Sequence, residues 1–213
     1  GVLLFSIIFS FSGITFNGDS VRLLNVAEAS HNSDSGYRYS SSIRKKINKL
    51  GKKPIKELKI PILIGVSEDD LSDTWGDARS NGRSHEGIDI IAPRGAYIVS
   101  PTDAVVTRVG KGGLGGIYVY TANPGGEQFY YAHLDKVAPG IKSGVVLKQG
   151  DLIGFVGNTG NASATIPHLH LGIYKRGASN PFPRLTKEFS TEERLKYLTV
   201  IVEILKKEQK KKK

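Results

Sequence analysis

A chain of 213 residues with 39% hydrophobic residues is sized for one folded domain with additional segments at its ends. It has no cysteine, which excludes both a disulfide framework and a thiolate metal site, so any metal must be held by histidines and carboxylates. The net charge of +10 is concentrated in residues 38–59 and 206–213, and the rest of the chain is slightly acidic, which argues against a basic binding surface in the central region.

The first predicted element, over residues 1–29, is a signal peptide or membrane anchor. Residues 2–16 are strongly apolar, but about fifteen residues are fewer than the roughly 20 that span a membrane, and this length suits a signal-peptide core. Ala-Glu-Ala at 27–29 offers a cleavage site. Because the sequence starts at Gly1 and lacks a charged leader, we expect this segment to be truncated; a buried first helix is the alternative. The expected location is exported: periplasmic, cell-envelope associated or secreted.

Residues 30–58 are predicted to be a basic linker. Ile43, Ile47 and Leu50 recur at helical spacing between lysines, which predicts a short helix over 42–51. We expect the basic flanks to contact anionic wall polymers or a membrane surface, with solvated tails that have no partner as the alternative. We expect no specific nucleic-acid binding.

Residues 59–186 consist of short apolar runs separated by turn signals, a pattern that is typical of a mainly β domain. The connections are too short for helical crossovers, so the pattern predicts an antiparallel sheet, and we expect it to form an open groove. The predicted strands are 60–66, 88–91, 96–100, 103–109, 117–121, 127–133, 151–156 and 168–174.

The segment from Gly110 to Gly115 matches the G-x-G-x-x-G pattern of dinucleotide-binding loops. In that class of proteins a helix follows the glycines. Here the strand-like run 117–121 follows instead, so the context favours a flexible hairpin loop and argues against dinucleotide binding.

Residues 187–213 are predicted to form a C-terminal helix and a lysine-rich tail. Ser190 and Glu193 have the spacing of a capping box, and apolar residues then recur at helical spacing, which predicts a helix over 191–208. Its apolar stripe must contact either the sheet or a partner, and the sequence leaves both open.

Two histidine clusters provide candidate metal ligands. In a strand, His168 and His170 lie on one face and their apolar neighbours on the other. In an extended segment His85 and Asp89 likewise share a face. Two histidines and a carboxylate form a plausible zinc shell that leaves a fourth tetrahedral position for water. Taken alone, a single His-x-His pair is a weak pattern, and an exposed pair without a metal is its alternative.

The motifs together resemble the lysostaphin-type (LytM-type) zinc endopeptidases, which cut peptide cross-links in bacterial peptidoglycan. The resemblance covers about residues 60–186 and is carried by three motifs in order, with a groove-loop segment between the second and third. They are Gly82-Arg83-Ser84-His85-Glu86-Gly87-Ile88-Asp89, Tyr130-Tyr131-Ala132-His133-Leu134 and His168-Leu169-His170, with the loop segment at 149–160. Upstream, residues 73–82 depart from the commoner Gly-x-Arg turn of the family.

The resemblance implies one Zn²⁺ per chain, held by His85, Asp89 and His170, with His133 and His168 as catalytic histidines. Which histidine acts as the base stays open. From the same motifs we expect Asn158, Thr159 and Tyr131 to bind the substrate. The implied function is zinc-dependent hydrolysis of peptidoglycan peptides through a metal-activated water. The alternatives are a non-catalytic peptidoglycan-binding or amidase-activating module on the same fold and a hydrolase of some other peptide.

Overall fold

A computed structural model describes residues 39–212, whose backbone is mainly β with an antiparallel sheet, as the sequence predicts. The strands are β1 Leu58–Lys59, β2 Ala78–Arg79, β3 Arg83–Ser84, β4 Ile88–Ile91, β5 Tyr97–Val99, β6 Ala104–Gly112, β7 Gly116–Asn123, β8 Glu127–Val137, β9 Val146–Leu147, β10 Leu152–Val156, β11 His168–Tyr174, β12 Ala178–Ser179 and β13 Leu185–Lys187. The helices are α1 Ser41–Ile47 and α2 Thr191–Lys211. Within 39–212, no helix is long and apolar enough to cross a membrane. The predicted segment 1–29 lies outside the described residues.

Nine strands form the main sheet, and its order places the strands of the predicted site side by side. The path runs β12, β11, β8, β7, β6, β9, while β4 pairs with β11, and β10 pairs with both β8 and β5. One face of these strands is apolar and buried, with Ile88, Phe129 and Leu171 all inaccessible to solvent. The opposite face of β4, β11 and β8 is therefore the face that can carry polar, functional side chains.

The predicted strand over 60–66 is wrong. Only Leu58–Lys59 forms a strand here, paired in parallel with β13, and Ile62 makes an isolated bridge to Ile98. Pro61 has no N–H to donate to a ladder, although its carbonyl accepts a hydrogen bond from the Val99 N–H. The apolar run in 60–66 is explained by burial of irregular chain in the core.

The predicted C-terminal helix is confirmed as α2. Ser190 Oγ accepts a hydrogen bond from the Glu193 N–H, and the Glu193 carboxylate accepts one from the Ser190 N–H, which completes the capping box. The apolar stripe of α2 rests on the domain itself: Ile201 is buried in a cluster with Leu63, Val99, Ala138, Leu152, Phe155 and Phe189. The sheet is therefore the surface that this helix covers.

The segment before the sheet is held against the domain. Helix α1 ends at Ile47, four residues earlier than the sequence predicts, and Lys46 Nζ donates to the Gly144 carbonyl at 2.6 Å. Leu58 is fully buried, and Lys59 Nζ lies 2.8 Å from the Glu193 carboxylate and 2.9 Å from the Glu188 carbonyl. The end of the predicted linker is thus part of the folded unit.

The glycine-rich segment 110–115 is the turn of a β-hairpin. Strand β6 ends at Gly112, β7 begins at Gly116, and the two strands pair in antiparallel register up to those two residues. Gly112 and Gly113 have φ values of 127° and 59°, in the region that favours glycine. The positive φ values of the turn explain why glycine occurs at these positions. The hairpin loop that the sequence context predicts is confirmed.

Candidate metal centre and active site

Three side chains with metal-binding atoms meet above β4 and β11. His85 Nε2 lies 2.8 Å from His170 Nδ1, and Asp89 Oδ1 lies 3.1 Å from each of these two nitrogens. Donor atoms held about 2.0–2.1 Å from one tetrahedral zinc are separated by roughly 3.3 Å, so the triangle is close to the size of a shared ligand set. The structure thus brings together the three residues expected to be ligands, in a form that fits a divalent metal.

The pairing of β4 with β11 fixes the positions of two of the three candidate ligands. His170 on β11 is directly opposite Asp89 on β4, and both side chains leave the face opposite to the core. His85 reaches the same place through Glu86 and Gly87, which lie close to β11. A Cβ on Gly87 would be 2.5 Å from the Leu171 carbonyl oxygen and 2.7 Å from the His170 ring, so glycine is required for this approach.

Thr74 orients two of the ligands, although nothing in the sequence singles it out. Its carbonyl oxygen lies 2.6 Å from His85 Nδ1, which must carry the proton and donate it. The unprotonated Nε2 of His85 is then turned toward Asp89 and His170. Thr74 Oγ1 also accepts a hydrogen bond of 3.0 Å from the Asp89 N–H. Such outer contacts fix the tautomer and the direction of metal ligands.

Arg79 binds the carboxylate oxygen of Asp89 that faces away from the histidines. Its Nη2 lies 2.6 Å from Asp89 Oδ2, which leaves Oδ1 for the metal triangle. Burial works to raise the pKa of Asp89, but the neighbouring rings of His170 and His85 hold it well below its ordinary value. Burial lowers the pKa of His170. Both groups are therefore in the deprotonated forms that bind a metal.

We expect Arg79→Ala to weaken metal binding by about 10- to 100-fold, the usual effect of losing an outer partner of a ligand. The reason is that Asp89 would lose the contact that fixes its carboxylate plane. Competition with a chelator of known zinc affinity measures the change. Arg83→Ala is the matched control, since Arg83 contacts Ser80 and lies outside the triangle. Equal zinc affinity in the two variants would contradict this role for Arg79.

His133 and His168 lie beside the triangle with the same hydrogen-bonding arrangement. His133 Nδ1 donates to the Thr159 carbonyl at 2.8 Å, and His168 Nδ1 donates to the Ile166 carbonyl at 2.8 Å. Their ring centroids are 5.0 Å apart, and His133 is 5.8 Å from the His170 ring. Since each Nδ1 carries a proton, each neutral ring keeps its lone pair on Nε2. Burial lowers the pKa of His133 to about 4, which keeps this ring neutral near pH 7.

The backbone of His133 departs from regular strand geometry and turns its side chain away from that of Tyr131. Strict alternation along β8 puts His133 on the same side as Tyr131. His133 instead has φ 62°, and β8 carries one extra residue opposite β7 between Tyr131 and Leu134. This bulge lets His133 face the metal triangle while Tyr131 points into the core.

The prediction that Tyr131 binds substrate is therefore wrong. Its side chain is fully buried among the core residues, and burial raises its pKa above the ordinary value. The neighbouring Tyr130 faces the site instead, with its ring centroid 5.7 Å from that of His170. No sequence signal distinguishes the two adjacent tyrosines, because the bulge depends on contacts between strands.

Asn158 and Thr159 use their side chains within the protein. Asn158 accepts a hydrogen bond from Arg94 and donates to the carbonyls of Ser163 and Thr165 at 3.2 and 3.1 Å. Thr159 Oγ1 donates to the Leu134 carbonyl and accepts from the Ile117 N–H, both at 2.8 Å. These bonds shape the loop whose carbonyl orients His133. Direct substrate contact by Asn158 and Thr159 stays a prediction.

Comparison with known proteins agrees with this site. Residues 83–181 match the sequence model of Peptidase family M23. Over 124 residues the chain is 38% identical to an L-Ala--D-Glu endopeptidase of Bacillus subtilis (strain 168), an alignment that covers 53% of this chain and 38% of the relative. The chain thus spans less than half the length of this curated relative.

Two solved structures are similar to this chain. LytU is 34% identical, with 58% of this chain and 87% of that one aligned at a TM-score of 0.47. A glycyl-glycine endopeptidase lytM from Ruminococcus gnavus ATCC 29149 is 38% identical, with 62% of this chain and 59% of that one aligned at a TM-score of 0.50. The family match includes every one of His85, Asp89, His133, His168 and His170. The chain therefore contains a peptidase family M23 domain over residues 83–181.

Proposed function

We propose that this chain is a zinc-dependent endopeptidase that hydrolyses peptide cross-links of bacterial peptidoglycan. The observation that carries the proposal is the triangle of His85, Asp89 and His170 with two further histidines beside it, each holding a basic nitrogen available for proton transfer. A binding module would need neither the triangle nor the paired rings. Two neutral imidazoles and one carboxylate suit zinc with a fourth position left for water.

Zinc at this site would supply a Lewis acid that polarises the scissile carbonyl and lowers the pKa of a bound water to about 7. The Nε2 of His133 or His168 accepts the proton of the attacking water. Once protonated, that Nε2–H can donate to the developing oxyanion or to the leaving amine. The Thr159 and Ile166 carbonyls support the protonated ring, because each accepts the Nδ1–H in both charge states.

The substrate class is proposed from the relatives and from the motifs. The similar protein of Bacillus subtilis is named an L-Ala--D-Glu endopeptidase, and the similar protein of Ruminococcus gnavus is named for glycyl-glycine endopeptidase activity. Peptide bonds of this kind occur in peptidoglycan, which lies outside the cytoplasmic membrane. We therefore propose an exported protein that acts at the cell envelope.

Digestion of purified peptidoglycans with different cross-bridges tests this function. The fragments, identified by mass spectrometry, give the bond that is cleaved. We expect the wild-type protein to release peptides from at least one wall type and the His170→Ala variant to release none. A wild-type protein that binds peptidoglycan but is inert on every wall type would contradict the proposal and favour a binding or amidase-activating module.

We also propose that the basic flanks anchor the protein to anionic wall polymers or lipids. Leu58 and Lys59 are part of the folded domain, so deleting the flanks would disturb the fold. The positive charge of the flanks is therefore better removed by substitution. The variant replaces only exposed lysines by glutamine: Lys45, Lys49, Lys52, Lys53, Lys207, Lys210, Lys211 and Lys212.

We expect this variant to be released from anionic cell wall or vesicles at lower salt than the wild type, with hydrolysis of a soluble peptide nearly unchanged. Such attraction is screened over about 10 Å at 0.1 M salt, so the difference should shrink as salt rises. Co-sedimentation across a salt series measures it. Equal retention of both proteins at every salt concentration would argue against anchoring.

A further inference from the structure

The loop between β10 and β11 supplies both carbonyl groups that orient the rings of His133 and His168. It covers residues 157–167, and we call it the carbonyl loop. The Thr159 carbonyl oxygen lies 2.8 Å from His133 Nδ1, and the Ile166 carbonyl oxygen lies 2.8 Å from His168 Nδ1. The orientation of each ring therefore depends on where this loop places its carbonyl.

The first part of the carbonyl loop lies directly against β8. A Cβ on Gly157 would be 2.3 Å from the backbone nitrogen of Asp135, so glycine is required for this approach. The Gly157 carbonyl accepts a hydrogen bond of 3.0 Å from the His168 N–H, and the Thr159 N–H donates to the His133 carbonyl at 3.4 Å. Backbone hydrogen bonds thus join this part of the loop to both strands that carry the two histidines.

The side chain of Asn158 connects the first part of the carbonyl loop to its last part. Its Nδ2 donates to the carbonyls of Ser163 and Thr165 at 3.2 and 3.1 Å. Asn158 directly precedes Thr159 in the chain. Thr165 directly precedes Ile166, so each orienting carbonyl belongs to a residue next to one end of this connection. A change in the Asn158 amide would therefore reach both Thr159 and Ile166.

Arg94 fixes which end of the Asn158 amide faces the carbonyl loop. Its Nη2 donates to Asn158 Oδ1, and its Nη1 lies 2.6 Å from Asp135 Oδ1. A guanidinium has donors and no acceptor, so the amide turns its oxygen toward Arg94 and its NH₂ group toward the loop carbonyls. Asp135 follows His133 by two residues on β8. Arg94 thus links the strand that carries His133 to the loop that orients both rings.

We propose that Arg94, acting through Asn158, is a positioning residue for His133 and His168. This inference rests on the proposed endopeptidase function. Without the guanidinium, the Asn158 amide is free to rotate away from the loop carbonyls, and the carbonyl loop then holds Thr159 and Ile166 less firmly. A displacement of about 1 Å in a reacting group can cost up to about 100-fold in rate. Arg94 therefore affects turnover although its side chain is exposed and lies outside the metal triangle.

Steady-state kinetics of Arg94→Gln on a peptide isolated from a peptidoglycan that the wild type cleaves test this role. We expect kcat to fall about tenfold while KM stays within about twofold of wild type, because the loss concerns groups that act in the transition state. Zinc content should be unchanged. The melting temperature should change little, since an exposed ion pair adds little to stability. Arg94→Lys should be intermediate, because it keeps the charge beside Asp135 without the paired donors.

Arg194→Gln is the matched control, because Arg194 on α2 forms an ion pair of the same length, 2.6 Å, with Glu188. It should keep kcat within about twofold of wild type, as expected for an exposed ion pair away from the site. An Arg94→Gln variant with the kcat of the control would overturn the proposal. A raised KM with unchanged kcat would overturn it too, because Arg94 would then contribute to substrate binding.

The double variant Arg94→Gln/Asn158→Ala tests whether the effect of Arg94 passes through Asn158. If it does, the double variant should turn over within about twofold of the slower single variant, because the second substitution removes a contact that is already lost. Independent effects would instead multiply. A double variant whose loss in kcat equals the product of the two single losses would overturn the route through Asn158.

NMR spectra of the histidine rings separate this inference from the catalytic proposal. In zinc-loaded protein with isotope-labelled histidine nitrogens, at mildly basic pH, the spectra distinguish a proton on Nδ1 from a proton on Nε2. The signals of the two rings are assigned by their absence from His133→Asn and His168→Ala. We expect both rings to carry the proton on Nδ1 in wild type and in Arg194→Gln, and to show a detectable Nε2–H fraction in Arg94→Gln.

The two outcomes of this measurement do not depend on hydrolysis. A shift of the ring protons in Arg94→Gln supports the positioning role even where the wild-type protein cleaves no peptide. Ring signals of His133 and His168 that are identical in wild type and Arg94→Gln overturn the positioning role, even where the wild-type protein is an active enzyme.

Discussion

A protein with His133 replaced is expected to keep its metal and its fold and to lose at least about a hundredfold in turnover. His133 is outside the metal triangle, yet its ring contacts the rings of His168 and His170. A histidine placed for proton transfer or oxyanion stabilisation contributes about 10²- to 10⁴-fold in rate. Zinc content, thermal melting and peptidoglycan hydrolysis measured on one preparation check the expectation.

The backbone of His133 decides which replacement is the more informative. At φ 62° an alanine is strained, whereas asparagine adopts this conformation more readily. His133→Asn also keeps a side-chain N–H for the Thr159 carbonyl but has no basic nitrogen. We therefore expect His133→Asn to melt closer to wild type than His133→Ala, and both to lose activity to a similar degree.

Two results would remove His133 from the mechanism. One is near-normal hydrolysis by His133→Asn with intact zinc. The other is higher activity in the more stable of the two variants, because a histidine that only packs in the core would affect activity only through the stability of the fold. Loss of zinc in both variants would instead place His133 in the ligand set.

Replacement of His170 by alanine is expected to empty the metal site and abolish hydrolysis. His170 Nδ1 is one corner of the triangle, and a carboxylate with a single histidine holds zinc poorly near neutral pH. The matched control is His168→Ala, two residues along the same strand face, whose Nε2 is 3.9 Å from Asp89 Oδ1. We expect His168→Ala to keep about one zinc per chain and to lose turnover.

Elemental analysis of the two variants, purified in parallel with added zinc, decides this comparison. Full occupancy in His170→Ala would show that the ligand assignment is wrong. Loss of metal in His168→Ala alone would exchange the roles of the two histidines. The pair is informative because the two substitutions remove the same group from neighbouring positions of β11.

The metal triangle could be anticipated from sequence because its geometry follows from strand alternation. His168 and His170 share a face, Asp89 shares a face with His85, and antiparallel pairing of β4 with β11 then sets Asp89 opposite His170. The apolar residues Ile88, Ile90 and Leu171 confirm the alternation by being fully buried or nearly so. Where local period and burial agree, the face of a side chain can be predicted from the residues alone.

The features that were missed depend on departures from that alternation or on contacts distant in sequence. Tyr131 was expected to bind substrate because it lies next to His133 in the motif, and the bulge that turns the two side chains to opposite faces arises from how β8 pairs with β7. Thr74 and Arg79 belong to an irregular stretch, and only the folded chain brings them to His85 and Asp89. The predicted strand over 60–66 was based on its apolar residues and did not take account of Pro61, which has no N–H for a ladder.

The parallel pairing of β1 with β13 has a consequence for how the protein is made. Lys59 donates to the carbonyl of Glu188, 129 positions later in the chain, so the start of the domain finds these partners only after Glu188 has been synthesised. At about 5–20 residues per second this delay is roughly 6 to 26 seconds. The strands that carry His85 and His170 are likewise far apart in order of synthesis. A nascent chain therefore cannot assemble the proposed hydrolytic centre before β11, which carries His170, has emerged.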